Sequence, residues 1–435
     1  MKPTMRSALR KGLIVATVVA ASALALSACS GSNAPAKTSD SPLLIWTDAT
    51  REAAFKAYQT AHPNVKMKIE VVDSGAMLSK IQLANRVGSG WPDVVFDPTT
   101  NEVAALSSSL FNYAQPLNSI VPKDVQNGFS TKNSICTIDG KLYCLQNDLA
   151  QSILWYNKPL MDKFGYQVPT TWDEYKALGV KVAAEHPGYI IGAAGGANIW
   201  YDFLWSSGCP LADVKSSTQV AINTADVKCT RVADTLDPLL ANGSVSRLSP
   251  FDAGVNKLAK DDKVLMMPGP SWMGEFVIKP AGGYGMPTGT LAAGAMPTWS
   301  GETTNWSGAY GGGIYVVSRH AADPTAAAAV AQWVSTNDAY QKTAPTYPAF
   351  APAALEWSKT ITSSGYYAQD PVPVLKDQAS KINPAVGATR YQVDSTVTST
   401  VVASIKSGGT IASTLPDLQS QLSGLAQASG YEVVK

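Results

Sequence analysis

The sequence predicts an α/β protein divided into two lobes, and two observations carry that prediction. From residue 43 onward, apolar runs suited to strands alternate with helix-period segments, the sequence form of a doubly wound, largely parallel sheet. About 390 residues remain after the N-terminal segment, too many for one ordinary hydrophobic core.

The elements follow in order. Leu43-Leu44-Ile45-Trp46 is an apolar run suited to a buried strand. The polar turn Thr47-Asp48-Ala49-Thr50 leads into a helix over 51–62, stopped by Pro63. Over 65–72, Lys66, Lys68 and Glu70 alternate with apolar residues and mark a second strand. Residues 76–88 read as a helix with Met77, Ile81 and Ala84 on one face. Trp91-Pro92 turns the chain into a third strand ending near Asp97, and a helix over 101–109 completes the β-α-β-α-β-α run.

Ahead of this region, Lys2, Arg6, Arg10 and Lys11 flank an apolar run of fourteen residues, 13–26. A helix crossing a bilayer of roughly 30 Å takes about 20 residues, so the run reads as an export signal. Leu26-Ser27-Ala28-Cys29 resembles the bacterial lipobox, whose cysteine is diacylated and becomes the first mature residue. That resemblance implies a signal over 1–28, lipid on Cys29 and a location outside the cytoplasmic membrane. Residues 29–42 are small, polar and Pro-containing, the composition of a flexible tether. With four cations lost in the signal, 30 Lys and Arg face 33 Asp and Glu, a formal charge near −3. Such a balance gives no electrostatic reason to expect a nucleic-acid partner.

Four cysteines remain, in two local pairs: Cys136 with Cys144, and Cys209 with Cys229. The first pair brackets Asp139-Gly140, a hairpin turn signal that would set the two cysteines opposite each other. Four cysteines allow three pairings, and the short spacings favour the local one. A zinc site fails on spacing, because no C-x2-C occurs and His62, His186 and His320 stand apart. The expectation is two structural disulfides, with no metal and no cofactor.

Several segments together resemble the maltose-type extracellular solute-binding proteins of ABC importers. They are the Leu-Ile-Trp strand, "GSGWPDVVF" (88–96) and "DGKLYCLQNDLAQSILWYNKPLMDKFGYQVPTTWDEYKAL" (139–178). The later "VLMMPGPSW" (264–272) and "YGGGIYVV" (310–317) segments complete the set. The ordered match runs from Leu43 nearly to the C-terminus, with cysteines replacing ordinary residues around the "DGKLY" hairpin. The resemblance implies a two-lobe, periplasmic-binding-protein-like fold with a ligand cleft between lobes and several interlobe crossings. It assigns 43–147 plus 313–345 to one lobe and 148–312 plus 346–435 to the other. The first crossing falls at Asn147-Asp148-Leu149, and Gly311-Gly312-Gly313 suits the next, since glycine tolerates the backbone angles of a bend. The implied function is capture of a sugar or oligosaccharide by a monomer that delivers it to permease subunits in the membrane.

Sugar rings present an apolar C–H face and a hydroxyl rim, so their sites combine flat aromatics with Asp, Asn, Glu or Arg. Of eleven tryptophans and seventeen tyrosines, Trp46, Trp200, Tyr201, Trp272, Trp306 and Tyr310 stand in polar, Gly-rich or turn contexts. Core packing competes with ligand contact for each of them. Trp91, Trp172, Trp333 and Trp357 read as structural, Trp172 because Thr171 and Glu174 form a capping box around its helix start. Position in the family pattern adds Asp48 and Arg51, Asp97 and Thr99, then Asn147, Asp148 and Gln151 at the first crossing. It makes Trp272 the stacking platform and places Arg390 and Tyr391 late in the cleft. An exported glycosidase would need a marked carboxylate pair, and no G-x-S-x-G, H-E-x-x-H or Ser-x-x-Lys motif occurs. Ferric iron could use Tyr366-Tyr367, which fall in a loop-like stretch. A polyamine site would want carboxylates more clustered than the sequence displays, and peptide cargo stays open.

Overall fold

The computed structural model describes residues 37–131 and 134–435, so the expected export signal, Cys29 and residues 30–36 of the expected tether lie outside the described residues. Leu43–Thr47 forms the first strand, with Ile45 fully buried. Parallel strands Met67–Val71 and Val94–Thr99 flank it, and helices Glu52–Ala61 and Ser74–Val87 provide the crossovers. The second helix buries Met77, Ile81 and Ala84, the face its periodicity predicts. The helix expected over 101–109 is a 3-10 turn, Thr100–Glu102, continuing into Val103–Ser107.

The expectation of a largely parallel sheet holds for the first sheet with one exception. Gly312–Val317 inserts antiparallel between Val94–Thr99 and Leu145–Gln146, so one of the five strands opposes the other four. Local periodicity reports that a segment is a strand but carries no information about which distant strand it will join. Ser152–Asn157 is the centre of a second, wholly antiparallel sheet between Met266–Pro270 and Leu291–Gly294, and all six of its residues are buried. Around it Trp200, Phe203, Leu236, Leu239, Leu418 and Leu422 belong to one apolar core. Helix Trp172–Glu185 begins with the expected capping box of Thr171 and Glu174, and Trp172 stacks on Trp299 at 4.9 Å.

Three passes of chain tie these regions together. The amide of Asn147 donates to the carbonyl of Gly313 (2.7 Å), Ser152 to Gly308 (3.0 Å), and Tyr310 to Ala150 (3.1 Å). Leu149 donates to Tyr347 (3.2 Å) and Ala349 to Asn147 (3.1 Å), which adds 346–349 to the ladder. Gly311 and Gly312 take φ of +103° and +83°, values that side chains strongly disfavour. A Cβ at Gly313 would lie 2.4 Å from the Phe96 ring, so glycine is required there by space as well.

Both local cysteine pairs are bonded, Cys136–Cys144 with Cα atoms 5.0 Å apart and Cys209–Cys229 at 4.6 Å. In the first hairpin Thr137–Ile138 pairs with Lys141–Leu142, and Asp139 and Gly140 both take positive φ (49° and 72°). That is the primed turn Asp-Gly favours, because its twist matches the strands it joins.

Candidate functional site

In open α/β sheets, ligands bind beyond the carboxyl ends of the parallel strands, where turns expose unpaired backbone and side-chain groups. Here a cavity of about 530 Å³ lies there, within the range of small-molecule sites. The turn after Leu43–Thr47 contributes Asp48, Thr50 and Arg51, and the end of Val94–Thr99 contributes Pro98, Thr99 and Thr100. The chain passes supply Asp148, Thr346, Tyr310 and Gly311 to Gly313. Tyr201, Phe251, Trp272, Phe276 and Asp394 complete the wall.

The polar floor is held by one buried ion pair. Asp48 Oδ1 accepts from the amides of Thr50 (2.8 Å) and Arg51 (3.0 Å) and so shapes the turn. The Arg51 guanidinium lies 3.6 Å from Asp148 Oδ1, donates to Thr346 Oγ1 at 3.4 Å, and sits over the Phe96 ring at 5.2 Å. Burial raises the Asp148 carboxyl above its ordinary range, opposed by the Arg51 charge and by the amide of Asn147. Asn147 is fixed in turn by the Tyr315 hydroxyl, which donates to its Oδ1 at 2.8 Å.

A carboxyl pair lies behind the wall. Asp97 Oδ1 accepts from the Thr99 amide at 2.8 Å, while its buried Oδ2 has no donor among the described residues. Burial, then the nearby Glu102 charge, pushes Asp97 well above the usual carboxylate range. A proton held between two carboxyls is the physical remedy for like charges at close quarters. Gln392 Nε2 donates to Glu102 Oε1 at 2.7 Å.

The aromatic wall is ordered by ring contacts. Tyr201 stacks on Tyr310 with centroids 4.4 Å apart and planes 6° from parallel. Trp272 lies edge-to-face against Tyr310 (5.8 Å, 65°) and roughly parallel to Phe251 (5.9 Å, 15°), and its Nε1 donates to the Tyr310 carbonyl at 2.6 Å. Large flat faces are therefore held in place by a hydrogen bond and not by apolar packing alone.

Of the residues singled out from sequence, Asp48, Arg51, Thr99, Asp148, Tyr201, Trp272 and Tyr310 meet at this cavity. The others are placed elsewhere. Trp46 is buried beside the first sheet, where its Nε1 donates to Glu70 at 3.0 Å. Trp200 is fully buried in the second core. Gln151 is buried and its Nε2 donates to the Leu375 carbonyl at 2.8 Å, while Asn147 and Asp97 support lining residues from behind. Trp306 is half-buried and outside the cavity. Tyr391 is buried with its hydroxyl donating to the Leu211 carbonyl at 2.9 Å. Arg390 covers the Tyr431 ring at 4.1 Å and borders a separate cavity of about 580 Å³. That second space adjoins Leu149 and Ala309, whereas Asp148 and Tyr310 line the first, so alternate residues of the same passes serve different cavities. The tyrosines weighed for iron are engaged: Tyr366 donates to the Met286 carbonyl and Tyr367 to Glu275, both at 2.8 Å.

Sequence reading missed Phe251, Phe276, Thr346 and Asp394. Phe251 had a signal, an aromatic in the turn-like Leu248-Ser249-Pro250-Phe251-Asp252 stretch, and Phe276 follows Trp272 at helical spacing. Thr346 and Asp394 had none.

Two sheets joined by three chain passes, with a ligand-sized cavity walled by aromatic and charged side chains beside those passes, define a two-lobe α/β binding protein. Residues 45–341, more than half of the chain, match the family model for the bacterial extracellular solute-binding protein, and the chain belongs to that family. It is similar to the arabinooligosaccharide-binding protein of Bacillus subtilis (26% identical over 171 residues, 37% of this chain and 39% of that relative). The galactooligosaccharide-binding protein of the same organism is 28% identical over 173 residues, 38% of this chain and 39% of the relative. The match thus spans about two fifths of these curated relatives. The fold resembles the binding protein of B. animalis subsp. lactis Bl-04 in complex with β-1,6-galactobiose (TM-score 0.73, 19% identity, 91% of this chain and 99% of that one). It also resembles the lacto-N-biose complex of the Bifidobacterium longum galacto-N-biose/lacto-N-biose I-binding protein (TM-score 0.75, 18% identity, 91% and 99%).

Proposed function

We propose that this protein is the solute-binding component of an ABC importer, capturing a sugar or oligosaccharide between two lobes and delivering it to the membrane permease. One observation carries the reading: flat faces of Tyr201, Tyr310 and Trp272 share a sugar-sized cavity with Asp48, Arg51, Thr99 and Asp148. A pyranose laid on an aromatic face removes apolar area from water at about 25 cal/mol per Å², while its hydroxyls bond to the carboxylate, guanidinium and hydroxyl groups. Family membership supports binding without catalysis, and the oligosaccharide-binding relatives support the ligand class.

The lobes are 43–147 with 313–345 and 148–312 with 346–435. Strands 312–317 and 145–146 joining the first sheet support this division. Among the described residues no helix is long and apolar enough to cross a membrane. The membrane attachment is the lipid on Cys29 of a monomer, supported by the sequence around that cysteine.

A thermal-shift panel of galacto-, arabino- and malto-oligosaccharides, with spermidine and ferric citrate beside them, tests the ligand class. Stabilisation by a saccharide is expected, and a response to spermidine or ferric citrate alone would overturn the reading. For the anchor, Cys29→Ala should abolish lipid labelling, and a labelled variant at the membrane would remove that part.

A further inference from the structure

We propose that the cleft selects its saccharide by charge, taking one that bears a protonated amine in preference to its neutral counterpart and rejecting one that bears a carboxylate. This rests on the saccharide reading above and adds the ligand's charge.

Charged groups on the cavity wall are unequal in sign and in availability. Asp48, Asp148 and Asp394 face a single cation, Arg51, among the described lining residues. Arg51 is already committed to buried Asp148 at 3.6 Å and covers the Phe96 ring. For Arg51 to serve an anionic ligand, Asp148 would be left buried and unpaired, a costly state. Asp394 is in the opposite condition. Its carboxylate makes no hydrogen bond or ion pair among the described residues, although it is half-buried at the wall. Asp48 uses only Oδ1 for its bonds to Thr50 and Arg51.

The aromatic faces point the same way. Stacked Tyr201 and Tyr310, with Trp272 edge-on to Tyr310, are electron-rich surfaces beside Asp394. Aromatic faces attract a cation through the ring quadrupole, and carboxylates within the same walls reinforce that field. Burial raises both tyrosine hydroxyls, and the Asp394 charge adds to the shift, for Tyr201 directly after burial and for Tyr310 after Asp202. Behind the wall, Asp97 and Glu102 share a proton and together add net negative potential and no cation. A neutral sugar can satisfy the carboxylates through its hydroxyls, an ammonium group adds charge to the same bonds, and a uronic acid meets repulsion with no free cation to answer it.

The test uses the mature chain and titration calorimetry on galactobiose, maltose and cellobiose, each unmodified, as a 2-amino-2-deoxy form and as a 6-carboxylate form, with spermidine as a further arm. On whichever skeleton binds, the amino form should bind at least about 10-fold tighter than the neutral form. The carboxylate form should bind at least about 100-fold weaker than the neutral form. The amine preference should shrink as salt rises from about 0.01 M to 0.5 M, and Asp394→Asn should cut the amine-to-neutral ratio to below about threefold. Equal binding of neutral and amino forms, undiminished binding of the carboxylate form, or an unchanged ratio in Asp394→Asn overturns the selection and leaves saccharide binding standing. Binding of spermidine alone, or of no saccharide in any form, overturns both.

Discussion

The indole nitrogen of Trp272 donates a 2.6 Å hydrogen bond to the carbonyl of Tyr310, joining a residue beyond strand Met266–Pro270 to the chain pass that leads into Gly312–Val317. The Trp272 ring and the connection between the two sheets are therefore coupled. Trp272→Ala should weaken saccharide binding by roughly 30-fold to 1,000-fold, about 2–4 kcal/mol, as for aromatic hot spots. The lost hydrogen bond should lower free-protein stability by only about 1 kcal/mol. Calorimetry beside denaturant unfolding separates the two effects; a strongly destabilised variant with normal affinity would make Trp272 a packing residue.

Arg51 and Asp148 form a pair with both side chains below a tenth exposed (7% and 2%). Removing one partner strands the other's charge or hydrogen-bonding groups. Arg51→Met should cost about 3–5 kcal/mol in unfolding free energy, and adding Asp148→Asn should restore most of it. Urea titrations of the two variants measure this, and equal stability of single and double variants would contradict a coupled pair.

Asp202 lies in the π-helical turn Ile199–Leu204, fully buried, and its Oδ1 accepts from the Ser152 hydroxyl at 2.6 Å. Burial pushes its carboxyl from 3.8 up to about 7. The folded state thus holds this proton more tightly than the unfolded chain. Its contribution is full below about pH 4 and is lost as pH rises through about 7, by at most about 4 kcal/mol. Asp202→Asn, which keeps the acceptor, should flatten that decline in melting curves. Asp97 and Asp148, also raised, leave a residual slope of the same sign.

The bond from Gln392 to Glu102 joins positions assigned above to different lobes, at 2.7 Å. If lobe approach makes this contact, Gln392→Ala should raise the dissociation rate of a bound saccharide about fivefold, near 1 kcal/mol. Small-angle scattering of the parent chain should report a smaller radius of gyration at saturating saccharide. An unaltered off-rate would detach this contact from closure.

Loop length ranks the two disulfides. Sequence separations of 8 and 20 imply losses of about 2.5 and about 3.3 kcal/mol on removal by the loop-entropy model. Cys209→Ser with Cys229→Ser should therefore lower the denaturation midpoint more than the Cys136, Cys144 pair of substitutions, and the reverse order would show that native-state packing outweighs loop entropy.

Much of the fold was legible where its information is local. The face of Met77, Ile81 and Ala84, the Asp139-Gly140 turn and the Thr171–Glu174 capping box each rest on interactions within a few residues, and each forms. Tryptophan context was a poorer guide. Trp46 and Trp200 sit in polar or glycine-rich sequence yet are buried, because burial depends on what packs against a side chain from elsewhere. Phenylalanine escaped notice because it lacks a polar handle, although Phe251 and Phe276 remain the wall's more exposed aromatics at 40% and 39%.

Neighbours along the chain set the strand and helix periodicities, both local cysteine pairings and the turn residues Asp48 and Arg51. Only the tertiary structure decided that Gly312–Val317 enters the first sheet against its parallel strands, and that Asp394 comes to rest beside Tyr201 and Tyr310. It also brought Asp97 against Glu102 and Glu102 against Gln392. Hydrogen bonding and periodicity act over a few residues, whereas burial and charge act through space. The electrostatic character of the cleft therefore became readable only once distant carboxylates were folded into one place.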